Sequence, residues 1–148
     1  DEYPFVLTTG RRRSTYHTGT QTRHASGFDK IVPHEMCEVN PQDAISIGIE
    51  SGDTLTVSSR RGTVQVAAMI TERSPRGAIF MSFAFPELTR TNDITSDAYD
   101  FITETPEFKA CAVRIEKSNV QNASWKSIQK EVRLAGDVNL AANHLKNI

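Results

Sequence analysis

Six short runs of β-branched, aromatic and small apolar residues, separated by turn residues, constrain the fold of this chain most strongly. They cover residues 3–9, 36–39, 55–57, 64–70, 78–83 and 110–115. Alternation of inward and outward side chains indicates strands, and the turn at Arg61 and Gly62 joins the third and fourth runs in a hairpin. Six short strands with one or two short helices predict a mainly β domain, either a closed barrel or a sandwich.

One helix is predicted between the second and third strands. Asn40 suits the N-cap, Pro41 the first helical position and Asp43 the acidic first turn, and Gly48 is placed to end the helix in a left-handed conformation. We expect four apolar residues to form its buried face: Ala44, Ile45, Ile47 and Ile49.

Two irregular stretches, residues 11–33 and 85–109, interrupt the strands. Long loops inside a compact domain are usually functional or disordered. If both stretches lie at one end of a barrel, they can form a single site.

Composition limits the partners and the metal chemistry of the chain. With 148 residues and a net charge of −1, it predicts one main domain and no nucleic-acid partner. No run of about 18 apolar residues is present, so no membrane span is expected. Cys37 and Cys111 lack metal-ligand spacing, which predicts no zinc or iron–sulfur site and places both in the core. Because the first residue is Asp1 and not Met, we expect the chain to be part of a longer polypeptide.

The last 31 residues change in character. Trp125, Ile128 and Val132 recur at helical spacing, and a second apolar series follows Gly136. We therefore predict a barrel domain over residues 1–117 and an amphipathic helical tail over residues 118–148. The tail could pack on the barrel or dock on the rest of a longer protein.

The first irregular stretch has the chemistry of a phosphate-binding loop. Arg11, Arg12, Arg13, Arg23 and His24 crowd there without a nearby acidic run. Glycines permit close backbone approach, hydroxyls donate hydrogen bonds, and arginine pairs with phosphate in a bidentate manner. The spacing matches neither the P-loop nor the dinucleotide glycine fingerprint.

Several blocks in order resemble one known family, the carboxy-terminal molybdopterin dinucleotide-binding domain of the dimethyl sulfoxide reductase superfamily. The similarity is greatest to formate dehydrogenase alpha subunits and runs from about Tyr3 to Lys117. The blocks are YPFVLTTGR at 3–11, HTGTxTR at 17–23, EVNPxDA at 38–44, GDxLxVxSRRG at 52–62, RGAIFM at 76–81, NDITxDA at 92–98 and TPEFKxCAVRIEK at 105–117.

The resemblance implies a six-stranded double-psi β-barrel whose loops bind molybdopterin guanine dinucleotide. In this superfamily two copies of that cofactor hold one molybdenum or tungsten atom. Preceding catalytic and iron–sulfur domains of the parent chain would be the partners, and this domain alone would not be catalytic. By position, the cofactor-binding residues would be Thr9, Gly10, Arg11, His17, Thr18, Gly19, Thr20, Arg23, Asn92, Phe108 and Lys109.

Roles for some of these residues follow from their chemistry. Arg11 and Arg23 would offset pyrophosphate charge, and Lys109 would donate to a phosphate or a pterin carbonyl. Asn92 can donate to and accept from a heterocycle edge. Phe108 would pack on the pterin or in the core. His17 would orient the cofactor by a hydrogen bond or relay a proton near the metal.

The resemblance implies a parent enzyme that oxidises formate to carbon dioxide. Ala84 stands where the family often has a polar residue near the substrate side, so another oxidoreductase of nitrate reductase or formylmethanofuran dehydrogenase type is an alternative. A double-psi barrel that serves only to bind another protein is a third possibility, and the loop with Arg11 and residues 17–23 argues against it.

Overall fold

The computed structural model describes residues 2–22, 34–86 and 89–118. Six strands close into a barrel in the order β1-β5-β2-β4-β3-β6. Their bounds are β1 Phe5–Gly10, β2 Met36–Val39, β3 Thr54–Ser58, β4 Thr63–Ile70, β5 Ala78–Ser82 and β6 Cys111–Lys117. The mainly β class and the six-stranded double-psi barrel are confirmed, and the sandwich alternative is wrong. The predicted tail, apart from Ser118, lies outside the described residues.

The barrel is built from two interleaved halves. Strand β1 runs parallel to β5, β2 runs parallel to β4, and the other neighbours are antiparallel. Exchanging β1, β2 and β3 with β4, β5 and β6 leaves every neighbour and every direction unchanged. The strand topology therefore has a pseudo-twofold symmetry.

Strand direction places the connections at two ends of the barrel. The described parts of the connections after β1, β3 and β5 lie at what we call the cleft end: residues 11–22, 34–35, 59–62, 83–86 and 89–110. Those after β2 and β4, residues 40–53 and 71–77, lie at the helix end. Because Gly10 is paired in register with Ser82, the two irregular stretches begin side by side. The expectation that they could share one end is confirmed.

Alternating side chains of the strands fill the barrel. In β6, Cys111, Val113 and Ile115 point inward while their neighbours are exposed. Leu7, Leu55 and Ile79 are fully buried, and each such side chain contributes about 1.5–3 kcal/mol through burial. Cys37 is also fully buried, and burial raises the pKa of its thiol. The prediction that both cysteines are core residues is confirmed.

The predicted helix is α1, Pro41–Ile47, and both of its ends are as expected. The Asn40 side chain accepts a hydrogen bond from the Gln42 N–H at 3.0 Å, and Gly48 has a φ of 69°. Its predicted buried face was wrong at Ile45, which is 75% exposed. A two-turn helix buries only a narrow stripe, and here that stripe contains Asp43 and Ala44.

None of the helices in residues 2–22, 34–86 and 89–118 is long and apolar enough to cross a membrane.

Candidate cofactor site

Two hydrogen bonds join the end of β1 to the residues just before β6. The Thr9 hydroxyl donates to the Phe108 carbonyl at 2.6 Å, and Lys109 Nζ donates to the Thr9 carbonyl at 2.7 Å. Thr9 is 2% exposed, so this junction is tightly packed on its β1 side. The structure thus brings together three of the predicted site residues from positions about 100 apart in sequence.

Gly10 lies at the same junction and has a packing role. A Cβ atom at this position would lie 2.7 Å from Cε2 of Phe80. Only glycine lets the Phe80 ring approach the strand this closely. The phosphate-loop interpretation predicts that glycines near residue 11 let a ligand approach the backbone. At Gly10 it is the Phe80 side chain of the barrel that approaches closely.

The predicted HTGT segment forms an exposed turn after β1. His17 and Gly19 have positive φ values of 50° and 78°. The Gly19 N–H donates to the Tyr16 carbonyl at 2.9 Å, and the hydroxyls of Thr18 and Thr20 lie 3.0 Å apart. The His17 ring packs edge-on against Tyr16 with centroids 4.6 Å apart. His17, Thr18 and Thr20 are exposed, so polar groups of this turn face outward.

The arginine cluster divides into two kinds of residue. Arg11 is exposed and makes no ion pair with any residue in the described part of the chain. Arg12 is only 9% exposed in its side chain and pairs with Glu35 at 3.0 Å and Glu38 at 3.3 Å. The interpretation of the whole cluster as a phosphate patch is therefore wrong for Arg12, whose charge is neutralised internally. Arg23 lies outside the described residues.

Glu35 is the main feature of this end that the sequence did not predict. It is fully buried, and its carboxylate accepts hydrogen bonds from Arg12, from the Ser82 N–H at 3.0 Å and from the Ser82 hydroxyl. It therefore ties the loop after β1 to the end of β5. The available signal was an acidic residue directly before a buried strand in a chain with clustered arginines.

His34 precedes this buried carboxylate and is 1% exposed. Burial, with a smaller contribution from the charge of Arg12, lowers the pKa of His34 from 6.5 to about 4. His34 is consequently neutral at pH 7.

An open cleft of about 600 Å³ lies at the same end of the barrel. Asn92 and Phe108 line it together with Arg61 and Tyr99. Asn92 Oδ1 accepts from the Thr95 hydroxyl at 3.0 Å, which holds the amide in place. The amide nitrogen makes no hydrogen bond to a described residue, so it remains available as a donor. Asn92 belongs to a 3-10 helix, Thr91–Ile94.

Phe108 packs against another side chain and also faces the cleft, so it combines features of the two roles predicted for it. Its ring packs edge-on against Phe83, with centroids 5.7 Å apart, yet the residue is 37% exposed and faces the cleft. Asn92 and Phe108 are thus brought together. Among the described residues, neither Arg11 nor His17 makes a hydrogen bond to the loop between β5 and β6, which carries Asn92 and Phe108.

The groups at the cleft end fit an anionic dinucleotide that carries a heterocycle. Arg11 and the unused N–H groups of Lys109 suit phosphate, the Asn92 amide suits a base edge, and Phe108 offers an aromatic surface. The Thr15 hydroxyl is buried without a hydrogen-bond partner among the described residues, so this loop retains an unsatisfied polar group. Within the described ranges, no group of three or more His, Cys, Asp or Glu residues could hold a metal ion.

Residues 5–112 match the family described as the molydopterin dinucleotide binding domain. The chain belongs to this family. An F420-dependent formate dehydrogenase 2 subunit alpha from Methanococcus maripaludis is 44% identical over 117 residues, which are 79% of this chain and 17% of that protein. An F420-dependent formate dehydrogenase subunit alpha from Methanocaldococcus jannaschii is 45% identical over 78% of this chain and 17% of its own length.

The chain is also similar to two other proteins. A nitrate reductase from Symbiobacterium thermophilum is 37% identical over 79% of this chain and 16% of its own length. Acetylene hydratase from Pelobacter acetylenicus superposes with a TM-score of 0.68 at 21% identity, over 79% of this chain and 19% of that one, which shows a shared fold. The chain spans about one sixth of the length of the curated relatives it matches.

Proposed function

We propose that this domain holds the guanine dinucleotide and pterin of a molybdenum or tungsten cofactor in an enzyme that oxidises formate to carbon dioxide. The observation that carries the cofactor role is the junction of Thr9, Phe108 and Lys109, which joins the end of β1 to the second irregular stretch beside the cleft. The formate assignment is supported by the formate dehydrogenase alpha subunits at 42–45% identity.

Each residue would act through the group that it presents. Arg11 and Arg23 neutralise pyrophosphate charge, and the Thr18 and Thr20 hydroxyls with the Gly19 backbone line the same loop. Lys109 keeps one N–H on the Thr9 carbonyl and uses the others for a phosphate or pterin carbonyl. Asn92 donates to the heterocycle, Phe108 packs on it, and His17 orients the cofactor. When bound, the metal and its pterins supply the redox chemistry.

The preceding catalytic and iron–sulfur domains of a longer polypeptide complete the enzyme in this proposal. The nitrate reductase relative favours a second candidate, in which the same cofactor site serves nitrate reduction. Turnover by the longer protein separates the two: formate-dependent reduction of a dye supports the proposal. Nitrate reduction without formate oxidation would replace it.

A titration of this chain with guanosine diphosphate, followed by amide chemical shifts, tests the cofactor role directly. We expect shifts to cluster at residues 9–22 and 92–109. The Arg11→Gln variant should bind about tenfold more weakly, because a charge-assisted contact to phosphate is lost. Arg73→Gln is the matched control, since Arg73 is an exposed arginine at the helix end. Shifts of similar size in both variants, or shifts confined to the helix end, would contradict the proposed site.

A further inference from the structure

The loop between β5 and β6 carries a preformed tip at residues 99–106. Tyr99 and Pro106 form an isolated antiparallel bridge, and the Asp100 N–H donates to the Thr105 carbonyl at 2.9 Å. The Asp100 carboxylate accepts from the Thr103 N–H at 2.7 Å and the Ile102 N–H at 3.0 Å. These hydrogen bonds lower the pKa of Asp100, so the charged carboxylate that holds the turn persists to lower pH than an ordinary aspartate.

The ordered turn directs its largest apolar side chains into solvent. Phe101 is 88% exposed, Ile102 is 89% exposed, and Tyr99 is 60% exposed. Three neighbouring large apolar side chains on a structured loop are unusual on a free surface and mark contact sites. Because the backbone is already fixed by Asp100 and the bridge, little loop entropy would be lost when the tip is covered.

Charge around the tip limits what can cover it. Residues 97–107 contain four acidic residues and no lysine or arginine: Asp97, Asp100, Glu104 and Glu107. A second copy that packs tip to tip would place like charges opposite each other, which is unfavourable. An anionic lipid surface attracts basic segments and would repel this one. A protein surface with an apolar pocket and a basic rim is complementary to it.

We infer that Tyr99, Phe101 and Ile102, together defined as the docking tip, insert into such a pocket on another part of the longer polypeptide. The relatives are about six times as long as the region they share with this chain, so each of them has further chain outside this domain that offers room for such a pocket. The inference rests on that length, on charge and on exposure. Tyr99 also lines the cleft, so the docking tip lies beside the proposed cofactor site, whereas Phe101 and Ile102 do not line the cleft.

Amide hydrogen exchange on this chain and on the longer protein that contains it tests the inference. We expect amides 100–105 to exchange at least about tenfold more slowly in the longer protein, because burial in an interface suppresses local opening. In a variant with Phe101→Ser and Ile102→Ser, most of the difference in exchange rate between the two proteins should disappear. Ile45→Ser is the matched control, since Ile45 is an exposed apolar residue at the helix end.

Two results would overturn the inference. Equal exchange of amides 100–105 in both proteins would show that the tip stays in solvent. Exchange in the isolated chain that is as slow as in the longer protein, and that becomes faster in the Phe101→Ser and Ile102→Ser variant, would show that the chain's own residues or a second copy cover the tip; sedimentation would separate these two cases. Normal guanosine diphosphate shifts at residues 9–22 together with equal exchange of amides 100–105 would reject the docking tip alone. Absent shifts together with slower exchange that depends on Phe101 and Ile102 would reject the cofactor site alone, because neither residue lines the cleft.

Discussion

The two ends of the barrel share one topology and differ in how their polar groups are satisfied. At the helix end, the Asp43 carboxylate accepts from the Gly77 N–H at 2.7 Å, and the Asn40 amide donates to the Ser74 carbonyl at 2.8 Å. At the cleft end, the corresponding connections leave the Arg11 guanidinium and the Asn92 amide nitrogen without a bond to any described residue. The pseudo-twofold symmetry therefore provides an internal control.

This difference suits the helix end to stabilising the fold and the cleft end to the binding that we propose. The helix end uses short polar contacts to fasten its own loops. The cleft end is fastened at the base of its loops through Arg12 and Glu35, while Arg11 and Asn92 above that base keep polar groups that bond to no described residue. Loops held at the base by a scaffold and open above it are the usual location of binding sites. Substitutions at the two ends should consequently separate folding from ligand affinity.

The largest effect is expected from Arg12→Met at the base of the cleft end. Removing the guanidinium leaves the buried Glu35 carboxylate without its ion pair, which typically costs about 3–5 kcal/mol. Urea denaturation would measure the loss in the free energy of unfolding. Arg76→Met is the matched control at the helix end, where the ion pair with Asp43 involves an exposed arginine and should contribute about 0–1 kcal/mol.

A double variant sharpens this prediction. Arg12→Met combined with Glu35→Gln removes both charges, so its cost should be smaller than the sum of the two single costs. Equal losses for Arg12→Met and Arg76→Met would show that the two ends do not differ in buried charge.

Acidification should weaken the cleft end through His34. The pKa of His34 is about 4 in the folded chain and 6.5 in the unfolded chain. Between these two pH values, His34 is protonated mainly in the unfolded chain. Stability is therefore lost as pH falls from about 6.5 to 4, by on the order of 3 kcal/mol. The measurement is the free energy of unfolding against pH. His34→Gln should flatten this part of the profile relative to the parent chain, whereas the exposed control His17→Gln should retain it.

At the helix end, Asn40→Ala should cost about 1–2 kcal/mol. The substitution removes the cap on α1 and the hydrogen bond to Ser74 together. Thermal unfolding would report the loss. Guanosine diphosphate affinity should stay unchanged at a temperature where the variant is folded, and a parallel fall in affinity would mean that the helix end supports the site.

Local chemistry made the strands and α1 predictable. Asn40, Pro41 and Gly48 each have a conformational preference that acts within a few residues, and β-branched and aromatic runs marked the strands. The prediction was wrong at Ile45 because tertiary neighbours determine which face of a short helix is buried. The buried face contains Asp43, whose carboxylate accepts from the Gly77 N–H.

The candidate site was predictable in its residue types and not in its internal pairing. Nothing within residues 11–13 distinguishes Arg12 from Arg11, because the distinction is made by Glu35 and Glu38, more than 20 residues later. The meeting of Thr9 with Lys109 depends on antiparallel pairing of β1 with β6, in which Leu7 is opposite Cys111, and single-strand patterns do not encode that pairing. The resemblance named both residues without giving this contact.

The smallest stability effects are expected at the loop junction, where they should accompany a loss of binding. Lys109→Met removes one partly exposed hydrogen bond to the Thr9 carbonyl, so it should change the free energy of unfolding by less than about 1 kcal/mol. Guanosine diphosphate affinity should nevertheless fall about tenfold, because the remaining N–H groups of Lys109 no longer meet phosphate. Thr9→Val separates positioning from charge: it loses the bond to Phe108 at a cost of about 0.5–1.5 kcal/mol and keeps the lysine. If a Lys109→Met variant binds normally, the role of Lys109 is to hold the second loop against the end of β1 and not to contact phosphate.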